Sequence, residues 1–142
     1  MNSLNPNKYV RTAYINALKL ATGLQVWHKK VPKTVTVIPK NYILLDSQTK
    51  NETVKAKTDY FEWLVTLDVH IFNYNLKGYT DTVVVDDIEE KVIKTVKIDG
   101  VTIANFSNKN VDILDSIDLD LETDTNSIDR RIIKFEHWLY GR

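Results

Sequence analysis

One stretch of alternating residues constrains the fold more than any other part of the sequence. Between positions 61 and 71, every second residue is large and apolar: Phe61, Trp63, Val65, Leu67, Val69 and Ile71. The positions between them include Glu62, Thr66, Asp68 and His70. Because successive side chains of a β-strand point to opposite faces, this period predicts a long strand. We expect its apolar face, centred on Leu67, to be buried against helices.

The N-terminal segment has the spacing of an amphipathic helix. Asn5 is typical of a helix N-cap, and Pro6 suits the first helical position, where its missing N–H costs nothing. Apolar residues then recur three to four positions apart: Tyr9, Val10, Ala13, Tyr14, Ala17, Leu18 and Ala21. Gly23 suits the left-handed residue that ends a helix. We therefore predict a helix over about Pro6–Ala21.

A second helix is predicted after Gly78, with Thr80 or Asp81 as its cap and an end near Val96. Its inner stripe consists of Val84, Val85, Ile88, Val92 and Val96. The β-branched run at positions 82–85 also permits a strand.

Other segments predict the remaining strands: the shorter Leu24–Lys30, Asn41–Gln48 and Val101–Ser107, and the two long alternating segments Val111–Thr123 and Ile128–Tyr140. The last two are joined by the turn-like Asp124–Ser127 and form an antiparallel hairpin. The order of elements predicts an α+β fold, a mainly antiparallel sheet with two helices packed on one face. We expect residues 1–142 to form a single domain.

Composition excludes several classes of function. Basic and acidic residues balance at 19 each, which argues against a general binder of nucleic acid or anionic membranes. The absence of cysteine excludes disulfides, thiol catalysis and cysteine-bound metals. The N-terminus lacks the profile of a signal peptide, and no apolar run reaches the roughly 20 residues of a membrane helix. We expect a protein that stays where it is synthesised.

The stretch SIDLDLETD, from Ser116 to Asp124, is the strongest candidate for a functional surface. Period two places four carboxylates on one strand face: Asp118, Asp120, Glu122 and Asp124. It places Ile117, Leu119 and Leu121 on the other face, where we expect them to be buried. No register supplies the Gly and Glu of an EF-hand calcium loop. We therefore interpret the acids as a solvated face, opposite Arg130 and Lys134 of the next strand, and not as a metal site.

Two further polar segments are candidate contact surfaces. Lys29, Lys30 and Lys33 form a basic cluster beside Trp27, which suits an acidic partner, nucleic acid or simply solvent. The polar segment Thr49–Asp59 is predicted to be a long, mobile loop that contacts a neighbouring subunit. Its charged residues are Lys50, Glu52, Lys55 and Lys57, followed by Asp59.

Catalytic motifs are absent from the sequence. The histidines His28, His70 and His137 have no short metal-ligand spacing, and no Ser or Cys accompanies the Asp68–His70 pair. None of the four glycines belongs to a phosphate-binding loop. We predict no catalytic residue, cofactor or bound metal.

The succession of elements resembles a known family over nearly the whole chain. A helix leads to GLQVWHKKVP, then PKNYILL, the long strand DYFEWLVTLDVHIFNY, the turn KGYTD with its helix, and a last strand DRRIIKFEHWLY. This order is similar to that of the tail terminator, or tail completion, proteins of tailed bacteriophages. The additional stretches Thr34–Ile38 and Val101–Ser107 also suit a neighbouring ring of the phage neck.

The resemblance implies a non-enzymatic virion protein at the neck or tail, assembled in the host cytoplasm. It implies a closed ring, a hexamer or alternatively a dodecamer, that joins the tail tube to the head connector. Double-stranded DNA would pass through the lumen without specific binding. The four acids of Asp118–Asp124 would then line the lumen and repel phosphate. Two other classes stay open: a small adaptor that binds through its sheet face, and a metal-dependent hydrolase using Asp68, His70 and these acids.

Overall fold

The long alternating stretch forms the middle strand of a six-stranded sheet in a computed structural model, described for residues 5–54 and 61–141. The elements in chain order are α1 (Pro6–Thr22), β1 (Val26–His28), β2 (Asn41–Val54), β3 (Phe61–Leu76), α2 (Thr82–Ile93), a π-helical turn (Lys94–Gly100), β4 (Phe106–Asp118), β5 (Leu121–Glu122) and β6 (Asn126–Gly141). The strand order is β1-β2-β3-β6-β4, with β5 also paired to β6. Only β1 and β2 run parallel. The predicted α+β class is confirmed.

The core lies between one face of the sheet and the two helices. Strands β3 and β6 pair along their whole length without a register shift, so Leu67 lies opposite Phe135 and Val69 opposite Ile133. All four side chains are fully buried and share one cluster with Val10 of α1 and several residues of α2. The predicted apolar face of the long strand is therefore confirmed. Within the described ranges, no helix has the length and apolarity to cross a membrane.

Helix α1 has the predicted ends. The Asn5 side chain accepts a hydrogen bond from the Asn7 N–H at 3.2 Å, and Pro6 occupies the first turn. Gly23 adopts φ 70° and donates its N–H to the Lys19 carbonyl at 3.0 Å, which closes the helix. The inward stripe of α1 consists of Val10, Tyr14 and Leu18, all buried.

Helix α2 ends earlier than predicted and changes geometry. Its α-helical part stops at Ile93, and a π-helical turn continues to Gly100 with Val96 still buried. The Thr95 hydroxyl donates to the Lys91 carbonyl at 2.7 Å. Such bonds from Ser or Thr to the preceding turn compete with the regular ladder and loosen a helix. At the other end, Asp81 is the N-cap residue, but its side chain makes no capping bond.

The bounds of the predicted strands Val101–Ser107 and Val111–Thr123 were wrong, because one strand, β4, runs from Phe106 to Asp118. Val101–Ser107 is a strand only from Phe106, because Asn105 at φ 67° turns the chain after the buried Val101 and Ile103. Val101 and Ile103 alternate with polar residues because both side chains pack into the core from the irregular segment before β4.

The segment Thr49–Asp59 is not a loop from its start, since β2 extends to Val54 and pairs with β3. A polar edge strand has no apolar period, and its backbone pairing is not visible in the sequence. Lys50 and Glu52 lie on this strand; Lys55 and Lys57 are outside the described residues.

A smaller cluster covers part of the opposite sheet face. Tyr42 and Phe72 stack with ring centroids 4.8 Å apart, and Ile128 completes this buried group. Val31, from the connection between β1 and β2, packs against it. Apart from this cluster, much of the described face opposite the helices is only partly covered.

A buried polar pair joins α1 to β6. The Tyr14 hydroxyl hydrogen-bonds Nε2 of His137, and the side-chain oxygen Oδ1 of Asn108 lies 3.3 Å from Nδ1. These contacts fit a neutral imidazole whose Nδ1–H donates to Asn108 while Nε2 accepts from Tyr14. Burial lowers the pKa of His137 to about 4.

Replacing Leu67 by Ala is expected to cost about 2–5 kcal/mol in unfolding free energy, because the close-packed interface cannot refill the cavity. Urea unfolding of the purified chain measures this cost. Leu20→Ala is the matched control, since Leu20 is 89% exposed on α1 and should change stability by less than about 0.5 kcal/mol. An unchanged midpoint for Leu67→Ala would contradict the assigned inward face.

The His137 imidazole should make stability depend on pH. Its folded pKa of about 4 lies below the ordinary 6.5, so the unfolded chain binds the proton more readily between these values. Stability should therefore fall as pH drops from about 6.5 to 4, by roughly 2–3 kcal/mol from this group. His137→Gln should flatten that slope in pH-dependent urea unfolding. The control His28→Gln replaces a partly exposed histidine, and this variant should retain most of the pH dependence of stability.

Candidate functional site

The predicted acidic residues lie at one end and one edge of the sheet. Asp118 ends β4, Asp120 follows it, Glu122 lies in β5, and Asp124 lies in the turn before β6. The chain leaves the extended conformation at Leu119 and Asp120, so the predicted single strand is two strands. All four acidic residues are exposed, as predicted.

Asp118 belongs to a charged cluster around Arg131. The guanidinium Nε donates to Asp118 at 2.7 Å, while Nη1 bonds Asp86 and lies 3.6 Å from Glu89. The bonds to Asp118 and Asp86 hold the pKa of Arg131 above its usual range. Three carboxylates surround one guanidinium, so the cluster fastens β4 and β6 to α2 and still carries excess negative charge.

The next two acids make local contacts in the hairpin. Asp120 accepts the Arg130 N–H at 3.3 Å, and Glu122 accepts the Ser127 hydroxyl at 3.2 Å. These bonds shape the connection between β4, β5 and β6. Within the described part of the chain, no three His, Asp or Glu residues are grouped so as to hold a metal ion.

The apolar residues between the acids are not buried as predicted. Ile117, Leu119 and Leu121 are 46%, 45% and 42% exposed. The register pairs Ile117 with Ile132 and Leu121 with Ile128, which places both on the sheet face opposite the helices, at the edge formed by β4 and β5. Alternation indicates two different faces, but it does not show that a second layer covers the apolar one.

A buried aspartate that sequence reasoning missed positions the start of α2. Asp129 is only 2% exposed, and its Oδ2 accepts bonds from Asn73 Nδ2 at 3.1 Å, Asn75 Nδ2 at 2.8 Å and the Asp81 N–H at 2.9 Å. The Asp81 N–H is one of the donors left free at a helix start. The signal in the sequence is weak, because Asp129 looks like the surface acids before it.

The three lysines of the basic cluster are exposed. Lys29, Lys30 and Lys33 lie after β1, in the connection that runs to β2 along the sheet edge opposite β4. Lys29 adopts φ 69° and donates its N–H to the Leu45 carbonyl at 2.8 Å. This bond holds the start of the connection against the sheet.

The two described charged residues of the predicted contact loop lie on the outer part of β2. Lys50 Nζ donates to the Asn5 side chain at 2.9 Å and lies 5.9 Å from the centre of the Trp63 ring. Glu52 pairs in register with Trp63 and is exposed. The arm formed by β2 and β3 is therefore tied to the start of α1.

Comparison with known proteins gives a fold match only. No protein-family model and no curated protein matches the sequence. The structure is similar to a chain in the solved structure "Virion of native gene transfer agent (GTA) particle", with a TM-score of 0.73 and 10% identity. The match covers 98% of this chain and 100% of that chain. The two chains share one fold.

Asp129→Ala is expected to destabilise the protein by roughly 2–5 kcal/mol, because three donors lose their common acceptor in a buried site. Thermal and urea unfolding measure the change. Asp124→Ala removes an exposed acid from the same hairpin and should have little effect. Equal stability of the two variants would show that the Asp129 network contributes nothing to the fold.

Proposed function

We propose that this chain is a non-enzymatic structural protein of a phage-like virion. The observation that carries the proposal is the end-to-end fold match to a chain of a gene transfer agent virion, with neither chain having a large unmatched part. The order of sequence elements independently resembles tail terminator proteins. The fold match and the order of elements both support a structural protein of a phage-like virion.

Within that class, we propose a ring subunit at the neck or tail, a tail terminator or an adjacent neck ring. The ring is a hexamer, with a dodecamer as the alternative. It joins the tail tube to the head connector, acts in the virion and is assembled in the host cytoplasm. The outer arm of β2 and β3, with Lys50 and Glu52, is a candidate contact with a neighbouring protein.

The acidic residues Asp118, Asp120, Glu122 and Asp124 suit the wall of a DNA channel. Their carboxylates are exposed, and Arg131 only partly neutralises the group because Asp86 and Glu89 share it. A wall of negative charge repels DNA phosphates, so duplex DNA slides through without being held. This placement in the lumen is part of the proposal.

The ring is tested by native mass spectrometry and light scattering of the purified protein. We expect a closed species with six, or twelve, times the 16.4 kDa mass of one chain. A chain that stays monomeric, or stops at a two-fold dimer, would favour an adaptor domain.

The channel is tested by reversing its charge. Rings in which Asp120, Glu122 and Asp124 are all Lys should retain linear duplex DNA at about 50 mM salt and release it by about 200 mM. They should not retain covalently closed circles, which cannot thread. Wild-type rings should retain neither form.

The control variant replaces three exposed acids elsewhere by Lys: Asp87, Glu90 and Asp99. The control changes the net charge by the same amount as the channel variant. Any DNA binding by the control should be the same for linear and circular DNA. If the first variant also binds both forms alike, its acids do not line the lumen.

A further inference from the structure

Charge is strongly segregated along this electrically neutral chain. Residues 1–45 contain seven Lys and Arg and no acidic residue, whereas residues 110–129 contain seven Asp and Glu and no basic residue. A formal net charge of zero conceals this separation.

The fold carries the larger part of each charged group to opposite edges of the sheet. Three of the seven basic residues lie on α1, whereas Lys29, Lys30, Lys33 and Lys40 are exposed in the connection that follows β1, the strand that ends the order on one side. The acidic segment includes most of β4, which ends the order on the other side, and β5. The subunit therefore has a positive edge and a negative edge.

Each edge also exposes apolar side chains next to its charges. On the positive edge, Val37 and Ile38 are 80% and 50% exposed, near Lys33 and Lys40. We call the group Lys30, Lys33, Val37 and Ile38 the basic edge. On the negative edge, Leu114 and Ile117 are 50% and 46% exposed. We call the group Asp112, Leu114, Asp115 and Ile117 the acidic edge; its two aspartates are exposed.

The backbone of β4 favours contact through side chains. Its outer side faces no other described strand, and such an edge readily adds a strand from another chain. Register shifts interrupt β4 between Asn108 and Asn110 and between Ile113 and Asp115. Irregularities of this kind bend an edge strand and hinder regular strand addition, and the second one leaves Leu114 as an extra residue.

We propose that the basic edge of one copy packs against the acidic edge of the next copy of the same chain, so that subunits join head to tail. The inference rests on the proposed ring and identifies its lateral contact. A two-fold dimer through either edge would place like charges together, whereas head-to-tail contact pairs opposite charges. When this head-to-tail contact repeats about one rotation axis, the chain of subunits closes into a ring in which both edges of every subunit are used. The lumen-facing residues Asp118 to Asp124 are separate from this contact.

Disulfide trapping tests the contact directly, since the chain has no natural cysteine. The variant carrying both Lys33→Cys and Asp115→Cys should give, on mild oxidation, a ladder of cross-linked chains that ends at the closed ring. The two positions lie at opposite edges of one subunit, so they cannot bridge within it. Each single variant can form at most two-chain species, which provides the control.

Charge exchange tests the electrostatic part. Lys30→Glu with Lys33→Glu should weaken assembly at low salt more than about tenfold, and so should Asp112→Lys with Asp115→Lys. The quadruple variant restores opposite charges at every contact and should regain assembly. Lys77→Glu with Lys91→Glu changes net charge as the first pair does, at exposed sites that belong to neither group, and should assemble like wild type. Thermal unfolding checks that each variant is folded.

The outcomes separate this inference from the proposed function. If wild type forms rings, but the double-cysteine variant gives no ladder and the charge variants assemble normally, the edge contact is wrong and the ring stands. If wild type stays monomeric and no ladder appears, both proposals fail. A ladder together with rescue in the quadruple variant supports both.

Discussion

The unbroken antiparallel pairing of β3 with β6 is the interaction on which the rest of the structure depends. It runs from Phe61 opposite Gly141 to Leu76 opposite Asn126, and it sets which residues of both strands face the helices. A slip of one residue would put Leu67 and Phe135 on opposite faces of the sheet, so one of them would leave the helix-covered core. β2 and β4 extend this pair at the sides, α1 and α2 cover its apolar face, and β1 joins the sheet through β2.

Strand β6 also fastens both helices through polar side chains on that inward face. Asp129 holds the N-terminal end of α2, Arg131 binds carboxylates of its first turns, and His137 hydrogen-bonds Tyr14 of α1. Between them lie Ile133 and Phe135, which supply apolar contact. Buried polar contacts are costly when incomplete, so they favour one placement of each helix over nearby alternatives.

A ring protein needs two lateral surfaces and a surface that faces its channel, and the edges of this sheet offer such a set. Acidic residues at the β4–β5 end suit a wall that does not hold DNA. The side edges carry opposite charge and exposed apolar residues, which suit a neighbour of the same kind. The functional surfaces proposed for this chain are thus the parts of the sheet that the helices leave uncovered.

Local features of the sequence determined the elements of the fold. The alternation from Phe61 to Ile71, the Asn5-Pro6 start and the Gly23 stop predict their elements because the signals lie in neighbouring residues. The exposed acids and lysines were predicted for the same reason.

Tertiary structure alone decided features that depend on distant residues. Asp129 is buried and Asp124 exposed, although both lie in one acidic stretch, because the Asp81 N–H and the amides of Asn73 and Asn75 converge on Asp129. The polar strand at Thr49–Val54 exists because β3 supplies its backbone partners. Ile117 and Leu121 are exposed because their pairing places them on the sheet face opposite the helices, which the smaller aromatic cluster covers only in part. Pairing and coverage come from residues far along the chain, so no local pattern could specify them.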